Sequence, residues 1–170
     1  MFWIVARTCF TLYRWFPLFG KLRASIAIIQ RDGKFLAIQR NDGRGISLPG
    51  GISGRKETAE ASLDREVREE TGLSVTGKEL VMEYFSDADV PCDLSVFRVQ
   101  ASGELRNSWE GSPQWMTVGE LEPQLLESQR PVLELLRKMS ANSRSETGHT
   151  IKDTRCRGRQ RQKQRSFSPD

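Results

Sequence analysis

The sequence contains very little histidine and cysteine, and this shortage excludes several kinds of catalytic site. His149 is the only histidine among 170 residues, and it lies in a polar C-terminal tail. A histidine-activated nucleophile, a zinc site built on three histidines and a phosphohistidine mechanism are therefore excluded. The three cysteines, at positions 9, 92 and 156, form no CxxC pair. This pattern argues against a zinc site or a disulfide framework and favours a reducing compartment.

The N-terminal segment 1–22 is apolar and aromatic, but it lacks the features of a signal peptide or a membrane span. It has no charged start and no clear small-residue cleavage site. Arg7 and Arg14 interrupt the apolar run, at a cost of roughly 2.5–3.5 kcal/mol for each central arginine in a membrane, and Pro17 breaks a helix. We therefore predict a cytoplasmic protein. Two roles for segment 1–22 stay open: peripheral contact with an anionic membrane, or packing on the rest of the chain or on a dimer partner.

The net charge of +4 is distributed unevenly along the chain. The first 23 residues carry four basic residues and no acidic one, and the tail 141–170 carries eight basic and three acidic residues. Residues 24–140 consequently have a net charge of −5. An acidic body does not fit a nucleic-acid-binding domain, so RNA contact is expected, if anywhere, only through the arginine-rich run 155–165. An acidic body that handles phosphates is expected to recruit metal ions.

The middle region, residues 23–140, has the pattern of one mixed α/β domain between the extension 1–22 and a tail, 141–170, too polar to fold alone. Asp32-Gly33 predicts a hairpin, and a Gly/Pro-rich loop covers Asn41–Gly54. Thr58 and Gly72 are typical of a helix cap and a helix stop. Strands are predicted at Ala24–Ile29, Phe35–Gln39, Leu80–Phe85, Leu94–Gln100 and Gln114–Val118, and helices at Thr58–Thr71 and Gln129–Met139. This order predicts an α/β sandwich around a mixed sheet.

The helix that follows Thr58 places carboxylates on and beside its apolar face. At 100° per residue, its core-facing arc comprises Ala59, Leu63 and Val67. Glu70 falls inside this arc, Glu66 lies on its edge, and Glu69 lies one step further round. A hard divalent cation would relieve both the repulsion of the like charges and the cost of burying one of them. The alternative is a solvated acidic face paired with Arg65 and Arg68.

The wider pattern around these glutamates favours the metal. Gly51 is followed after five residues by Glu57, and after seven more by the run Arg65-Glu66-Val67-Arg68-Glu69-Glu70-Thr71-Gly72-Leu73. These residues match the box of the Nudix hydrolase family at every fixed and aliphatic position, and the chain resembles that family over most of residues 23–140. The resemblance implies an α/β/α sandwich around a mixed sheet. It also implies a hydrolase that uses Mg²⁺ or Mn²⁺ to cleave a diphosphate linkage in a small molecule, either a nucleoside diphosphate derivative or a nucleoside triphosphate.

The resemblance also implies roles for individual residues of the box. The metal ligands would be the carboxylates of Glu66, Glu69 and Glu70 together with the carbonyl of Gly51. Arg65 would orient and neutralise Glu66, and Glu57 would brace the start of the helix. Gly50 and Gly51 would let the backbone approach the cation, which a side chain would obstruct.

Four residues outside the box have both a functional and a structural interpretation. Glu110, five residues before Trp115, resembles the later-loop acid that serves as a base in the nucleotide-cleaving branch of the family; otherwise it is an exposed loop residue. Arg40 would clamp a substrate phosphate or would be a strand-end charge in solvent. Trp109 and Trp115 would stack a base, although packing is the more common role of tryptophan on a strand.

Two other functions compete with hydrolysis. A Nudix-fold sensor without catalysis is one, but such modules usually lose glutamates of the box, and all four are present here. An RNA-associated protein acting through the run 155–165 is the other, and its affinity would fall steeply with salt. The choice of substrate and the oligomeric state are not indicated by the sequence.

Overall fold

The computed structural model describes residues 22–143, which form seven strands and several helical segments. The strands are β1 (Leu22–Arg31), β2 (Lys34–Arg40), β3 (Ile46–Ser47), β4 (Gly50–Ile52), β5 (Ser74–Ser86), β6 (Cys92–Ser102) and β7 (Gly111–Met116). The helices are α1 (Ala59–Thr71), α2 (Val118–Leu121), a 3₁₀ helix (Glu127–Val132) and α3, which occupies residues 133–143. The main sheet has the order β3-β2-β1-β6-β5, with β4 paired to β1 and β7 paired to β2.

The hairpin between β1 and β2 forms where the sequence predicts it. Asp32 and Gly33 both have positive φ, at 50° and 75°, as the two central residues of a type I′ turn require. The turn sets Arg31 opposite Lys34 and starts the antiparallel pairing of the two strands. Asp at the first of these positions is one of the few non-glycine residues that tolerate the left-handed region.

The sheet is mixed, and β1 is the strand on which the rest is organised. β1 runs parallel to β6 over Leu22–Ile29, while β5 pairs with β6 in antiparallel fashion. On its other side β1 pairs with β4, so that Ser25 lies opposite Gly51. This pairing brings the glycines of β4 against the central strand and below the helix that follows them.

The alternation of side chains along β1 divides the core into two layers. Ile26 and Ile28 pack on one face with residues of α3 such as Leu136. Ala27 and Ile29 pack on the other face, where Leu63 and Val67 of α1 cover them together with Leu36 and Phe97. Both faces of the sheet are therefore buried under helices, and the predicted α/β/α sandwich around a mixed sheet is confirmed.

Both predicted ends of α1 are confirmed. The Thr58 hydroxyl accepts a hydrogen bond from the Ala61 amide at 3.2 Å, so Thr58 is the N-cap. Gly72 ends the helix with φ of 78°, and its amide donates to the carbonyl of Arg68. A side chain at position 72 would also meet the Glu104 carbonyl oxygen at 2.9 Å.

Several predicted elements differ in extent. The strands predicted at Ala24–Ile29, Phe35–Gln39, Leu80–Phe85 and Leu94–Gln100 lie inside β1, β2, β5 and β6, and each observed strand is longer. The predicted loop Asn41–Gly54 contains the short strands β3 and β4. The predicted strand Gln114–Val118 is wrong at its end, because Thr117 caps α2 in a reciprocal capping box with Glu120. The predicted helix Gln129–Met139 begins earlier as a 3₁₀ turn that contains Pro131 and becomes α-helical at residue 133.

The predicted boundaries of the extension and the tail fall at the limits of the described residues. β1 begins at Leu22, the last residue assigned to the extension, and residues 141–143, assigned to the tail, continue α3. Residues 1–21 and 144–170, with His149 and the run 155–165, lie outside the described part of the chain. Within residues 22–143, no helix combines the length and the apolar character that a membrane crossing requires.

Candidate metal and catalytic site

The three glutamates near the end of α1 have very different environments. Glu70 is 3% exposed and Glu66 is 9% exposed, whereas the side chain of Glu69 is 56% exposed. This order follows the helical phase that the sequence predicts, with Glu70 inside the apolar arc and Glu69 furthest from it. Asp64 and Arg68 face solvent on the opposite side. Two carboxylates are therefore held between the helix and the sheet rather than on a solvated acidic face.

Arg65 joins the start of the box to its end. Its Nε and Nη2 donate to the two carboxylate oxygens of Glu57, both at 3.0 Å. Its Nη1 donates to Glu66 Oε1 at 2.7 Å and to Glu69 Oε2 at 3.3 Å. The guanidinium thus contacts three carboxylates from one position, and its two-pronged contact with Glu57 has the fork geometry that arginine forms with a carboxylate.

Glu57 closes the turn before the helix. Its Oε2 accepts a hydrogen bond from the Gly54 amide at 2.8 Å, in addition to the bonds from Arg65. The hydrogen bonds from Arg65 and then from Gly54 lower the pKa of Glu57 to about 2. Glu57 is therefore fully ionised at neutral pH, and it supports Arg65 in the orientation that reaches Glu66.

Glu70 is a buried carboxyl whose charged form is disfavoured. Burial is the main cause, and together with the negative charges of Glu110 and Glu66 and a hydrogen bond with Glu110 it raises the pKa of Glu70 to about 8. The Gly50 amide opposes this shift by donating to Glu70 Oε2 at 2.8 Å. Burial also raises the pKa of Glu66, although Arg65 opposes that shift. The ionised form of Glu70 is therefore disfavoured while no cation lies beside it.

The two glycines of β4 leave room for close neighbours, the backbone of β1 at Gly50 and the Glu66 side chain at Gly51. A Cβ on Gly50 would lie 2.1 Å from the Ser25 carbonyl oxygen, and Gly50 has φ of 143°. A Cβ on Gly51 would lie 2.6 Å from both Cδ and Oε1 of Glu66. The Glu66 carboxylate therefore occupies the space above the Gly51 backbone that any other residue would fill.

Glu110 and Arg40 come from outside the box and reach the same place. Arg40 ends β2 opposite Gly111, the first residue of β7, so that Glu110 lies immediately before this pairing. The charge of Glu110 acts on Glu66 and Glu70, and it also attracts Arg40. The structure thus brings Glu110 to the box glutamates instead of leaving it as an isolated loop residue.

Arg40 lies near the acidic cluster, but its guanidinium is bound by Asp42, which was not among the predicted site residues. Its Nε donates to Asp42 Oδ1 at 3.0 Å and its Nη2 donates to Asp42 Oδ2 at 2.5 Å. The hydrogen bonds from Arg40 lower the pKa of Asp42. Attraction by Glu110 and Glu70 contributes to the raised pKa of Arg40, after its hydrogen bond with Asp42. Only the spacing of Arg40 and Asp42 in one turn signals this pair in the sequence.

The residues present suit a hard divalent cation. Within residues 22–143, no three acidic, histidine or cysteine side chains already converge on one point in the manner of a metal site. Arg65 engages Glu66 and Glu69, while Gly50 and Glu110 engage Glu70. The donors are nevertheless all carboxylate or carbonyl oxygens, the type that Mg²⁺ and Mn²⁺ prefer. Two of the carboxylates are buried beside a third, Glu110, an arrangement whose repulsion a cation would relieve.

Trp109 and Trp115, the two candidates for base stacking, have different surroundings. The Arg31 guanidinium lies over the ring of Trp115, 5.0 Å from its centroid, and Trp115 packs against the core layer below α1. Trp115 is therefore a packing residue. Trp109, in the turn beside Glu110, is 87% exposed.

Comparison with known proteins extends the likeness beyond the box. The model of the family described as "NUDIX domain" matches residues 21–136. A "MutT-like protein" of Streptomyces ambofaciens is 36% identical over 102 residues, which are 59% of this chain and 66% of that protein, just under two thirds of its length. The solution structure of the E. coli ORF135 protein has a TM-score of 0.63 at 27% identity, covering 74% of this chain and 95% of that one. The MutT NUDIX hydrolase of Burkholderia pseudomallei has a TM-score of 0.60 at 25% identity, covering 68% and 97%.

Proposed function

The chain belongs to the Nudix hydrolase family, and on this premise we propose that it is a Mg²⁺-dependent hydrolase of a nucleoside triphosphate or a nucleoside diphosphate derivative. Mn²⁺ would serve in place of Mg²⁺. The bond cleaved is the diphosphate linkage, which the family as a whole hydrolyses. The proposal rests on the burial of Glu66 and Glu70 beside the Gly50–Gly51 backbone, where the negative charge of Glu110, from a separate part of the chain, acts on both.

The cation would be held by the Glu66, Glu69 and Glu70 carboxylates and the Gly51 carbonyl. When bound, Mg²⁺ supplies neutralisation of the diphosphate charge and a lower pKa for an attacking water. Glu70 must lose its proton to become a ligand, and Gly50 keeps the carboxylate in place through its amide. Glu69 must leave Arg65, which its exposure permits at little cost.

Arg65 and Glu57 would be positioning residues. Arg65 holds one oxygen of Glu66 in a hydrogen bond, and this contact would fix the orientation in which the carboxylate binds the cation. Glu57 is ionised over the whole neutral range and keeps the guanidinium in that orientation. Neither residue has to touch the substrate for its removal to reduce the rate.

Glu110 would accept the proton of the attacking water. Its negative charge acts on Glu66 and Glu70, which places its carboxylate near enough to the proposed site to accept a proton from a water bound there. A box glutamate, Glu66 among them, is the competing candidate for this base. Arg40 would contact the substrate phosphates, since it is attracted by the same cluster and is held by Asp42 in a defined orientation.

A phosphate-release screen of the purified full chain tests the proposal. The panel contains nucleoside triphosphates, nucleoside diphosphate sugars, ADP-ribose and dinucleoside polyphosphates, each with Mg²⁺ and with a chelator in its place. We expect Mg²⁺-dependent turnover of at least one nucleotide. The Glu70→Gln variant should lose at least ~10²-fold in kcat, because about 2.7 kcal/mol of lost transition-state stabilisation is two decades.

Glu60→Gln is the matched control, because Glu60 lies in the first turn of the same helix and faces solvent. It should keep the wild-type rate. A Glu70→Gln variant with more than a tenth of wild-type activity on the best substrate would contradict the ligand assignment. Absence of turnover on the whole panel would instead favour the non-catalytic sensor.

The cellular location, the membrane contact and the RNA contact stay predictions. A cytoplasmic location and peripheral membrane contact through residues 1–22 depend on a segment that is almost wholly outside the described residues. The same holds for RNA contact through residues 155–165. None of these is needed for the reaction proposed here.

A further inference from the structure

Trp109 stands out among the apolar side chains of the described chain because it is 87% exposed. The next most exposed large apolar residues in residues 22–143, Phe85, Leu80 and Ile52, are 58%, 48% and 41% exposed. Leaving an indole of this size in water forgoes a burial free energy that folding would otherwise gain. An exposed indole next to a candidate catalytic residue is available to contact a ligand through its apolar face.

The backbone that carries Trp109 is fixed, although its side chain is exposed. The Asn41 side-chain amide donates to the Trp109 carbonyl at 3.0 Å, and the Asn41 backbone amide donates to the Glu110 carbonyl at 2.9 Å. The Ser108 hydroxyl accepts from the amides of Glu110 and Gly111 at 3.2 and 3.3 Å. The turn therefore has a defined conformation, and an aromatic ring on it would bind a planar ligand with little loss of backbone entropy.

The same turn is tied to the acidic cluster. Gly111 pairs with Arg40 at the end of β2, and Glu110, which follows Trp109, lies close enough for its negative charge to act on Glu66 and Glu70. Neighbouring Cα atoms are about 3.8 Å apart, so the indole and the carboxylate of Glu110 start from adjacent points on one rigid turn. Gly111 locks the end of this turn, since a Cβ there would lie 2.3 Å from the Gln39 carbonyl oxygen. The indole is therefore carried by the same turn as Glu110.

We propose that Trp109 is a base-binding residue that stacks on the base of a nucleotide whose diphosphate lies at the Glu66–Glu70–Glu110 cluster. This inference rests on the proposed function, because it places the base relative to the diphosphate of that reaction. Stacking accepts any base, since every base has a π-face. Trp115, covered by Arg31, is not available for this role.

Equilibrium binding of two probes tests the inference. The first set comprises the α,β-methylene analogues of ATP, GTP, CTP and UTP, and the second probe is methylenediphosphonate, which has the diphosphate charge but no base. Both are titrated with Mg²⁺ into the full chain. Trp109→Ala should weaken the tightest nucleotide analogue by about 10-fold, as expected for the loss of one stacked base. Its affinity for methylenediphosphonate should stay at the wild-type value.

Two further variants separate stacking from other effects. Trp109→Phe keeps an aromatic face and should restore most of the nucleotide affinity. Leu80→Ala, on the edge strand β5, removes another exposed apolar side chain and should change neither probe. Equal weakening of both probes in Trp109→Ala, or wild-type nucleotide affinity in that variant, would overturn the inference. If the wild type hydrolyses nucleotides and Trp109→Ala has the wild-type KM, this inference fails and the proposed function stands. If the wild type neither binds nor hydrolyses any nucleotide, both the inference and the proposed function fail.

Discussion

The buried Glu70 carboxyl predicts an unusual pH dependence for the stability of the metal-free protein. Its pKa is raised from an ordinary value near 4.5 to about 8, mainly by burial. Between these two pH values the folded chain binds a proton that the unfolded chain has released. The contribution of Glu70 to the unfolding free energy is therefore fully present below pH 4.5, and it decreases as the pH rises towards 8.

The size of the effect follows from one proton. Each pH unit in this window costs at most about 1.4 kcal/mol of unfolding free energy, so the interval from pH 5 to pH 8 costs a few kcal/mol. For a domain of this size, 1 kcal/mol corresponds to roughly 2–4 °C in Tm, which gives a fall of the order of 10 °C.

Thermal unfolding of the chelator-treated full chain from pH 5 to pH 8 is the assay. Glu70→Gln removes the ionisable group. Its Tm should therefore fall less between pH 5 and pH 8 than the Tm of the wild type, by the amount that one titrating proton contributes. Excess Mg²⁺ should also flatten the wild-type profile, because the cation replaces the proton as the partner of the carboxylate. Glu60→Gln, on the solvent side of α1, should keep the wild-type slope.

A second measurement addresses the same proton directly. Calorimetric titration of Mg²⁺ at pH 7 in buffers of different ionisation enthalpy should report release of about one proton per cation bound. A metal-free Tm that is constant or rises from pH 5 to pH 8 would refute the reasoning. An unchanged slope in Glu70→Gln would refute it equally, since the titrating group would then lie elsewhere.

Three other perturbations have defined outcomes. Glu110→Gln should lower kcat while leaving the Mg²⁺ titration nearly unchanged, whereas Glu66→Gln should impair both; equal shifts of the titration midpoint would make Glu110 a ligand. Gly51→Ala places a Cβ 2.6 Å from the Glu66 carboxylate and should lower kcat by at least ~10-fold, since displacements of about 1 Å at a reacting centre cost up to two decades. Gly119→Ala, which has nothing within 4 Å, should leave kcat at the wild-type value, and a similar loss in both variants would exclude the contact as the cause. The full chain should bind anionic vesicles weakly at low salt, and a chain without residues 1–20, which keeps β1 intact, should not; a full chain that stays unbound in a vesicle co-sedimentation assay would instead favour packing.

The local features of the site could be predicted because they depend on helix geometry alone. The 100° rotation per residue places Glu70 between Leu63 and Val67, and the structure finds it 3% exposed. The caps at Thr58 and Gly72 follow from residue type at fixed positions. Thr117 followed three residues later by Glu120 is the sequence pattern of a capping box, and this pattern marks the end of the strand before Val118.

The contacts between distant segments could not be derived in this way. Glu110 meets Glu70 only because β7 pairs with β2 and sets Gly111 opposite Arg40, a register that no periodicity in the sequence specifies. The short strands β3 and β4 have two and three residues, too few for a detectable alternation, and they form because β1 and β2 offer free edges. The pairing of Arg40 with Asp42 likewise depends on the turn that follows β2.

The charges around the site explain why a divalent cation suits this arrangement better than a further side chain would. The carboxylates come from Glu57, Glu66, Glu69, Glu70 and Glu110, and the two neighbouring guanidiniums belong to Arg65 and Arg40. Arg65 already contacts three of these carboxylates and Arg40 is engaged by Asp42, so neither is left to neutralise the pair formed by Glu70 and Glu110. A permanent lysine or arginine there would remove the repulsion, but it would also occupy the position from which a phosphate oxygen can be bound. An exchangeable cation relieves the repulsion and still offers coordination positions to water and to the diphosphate.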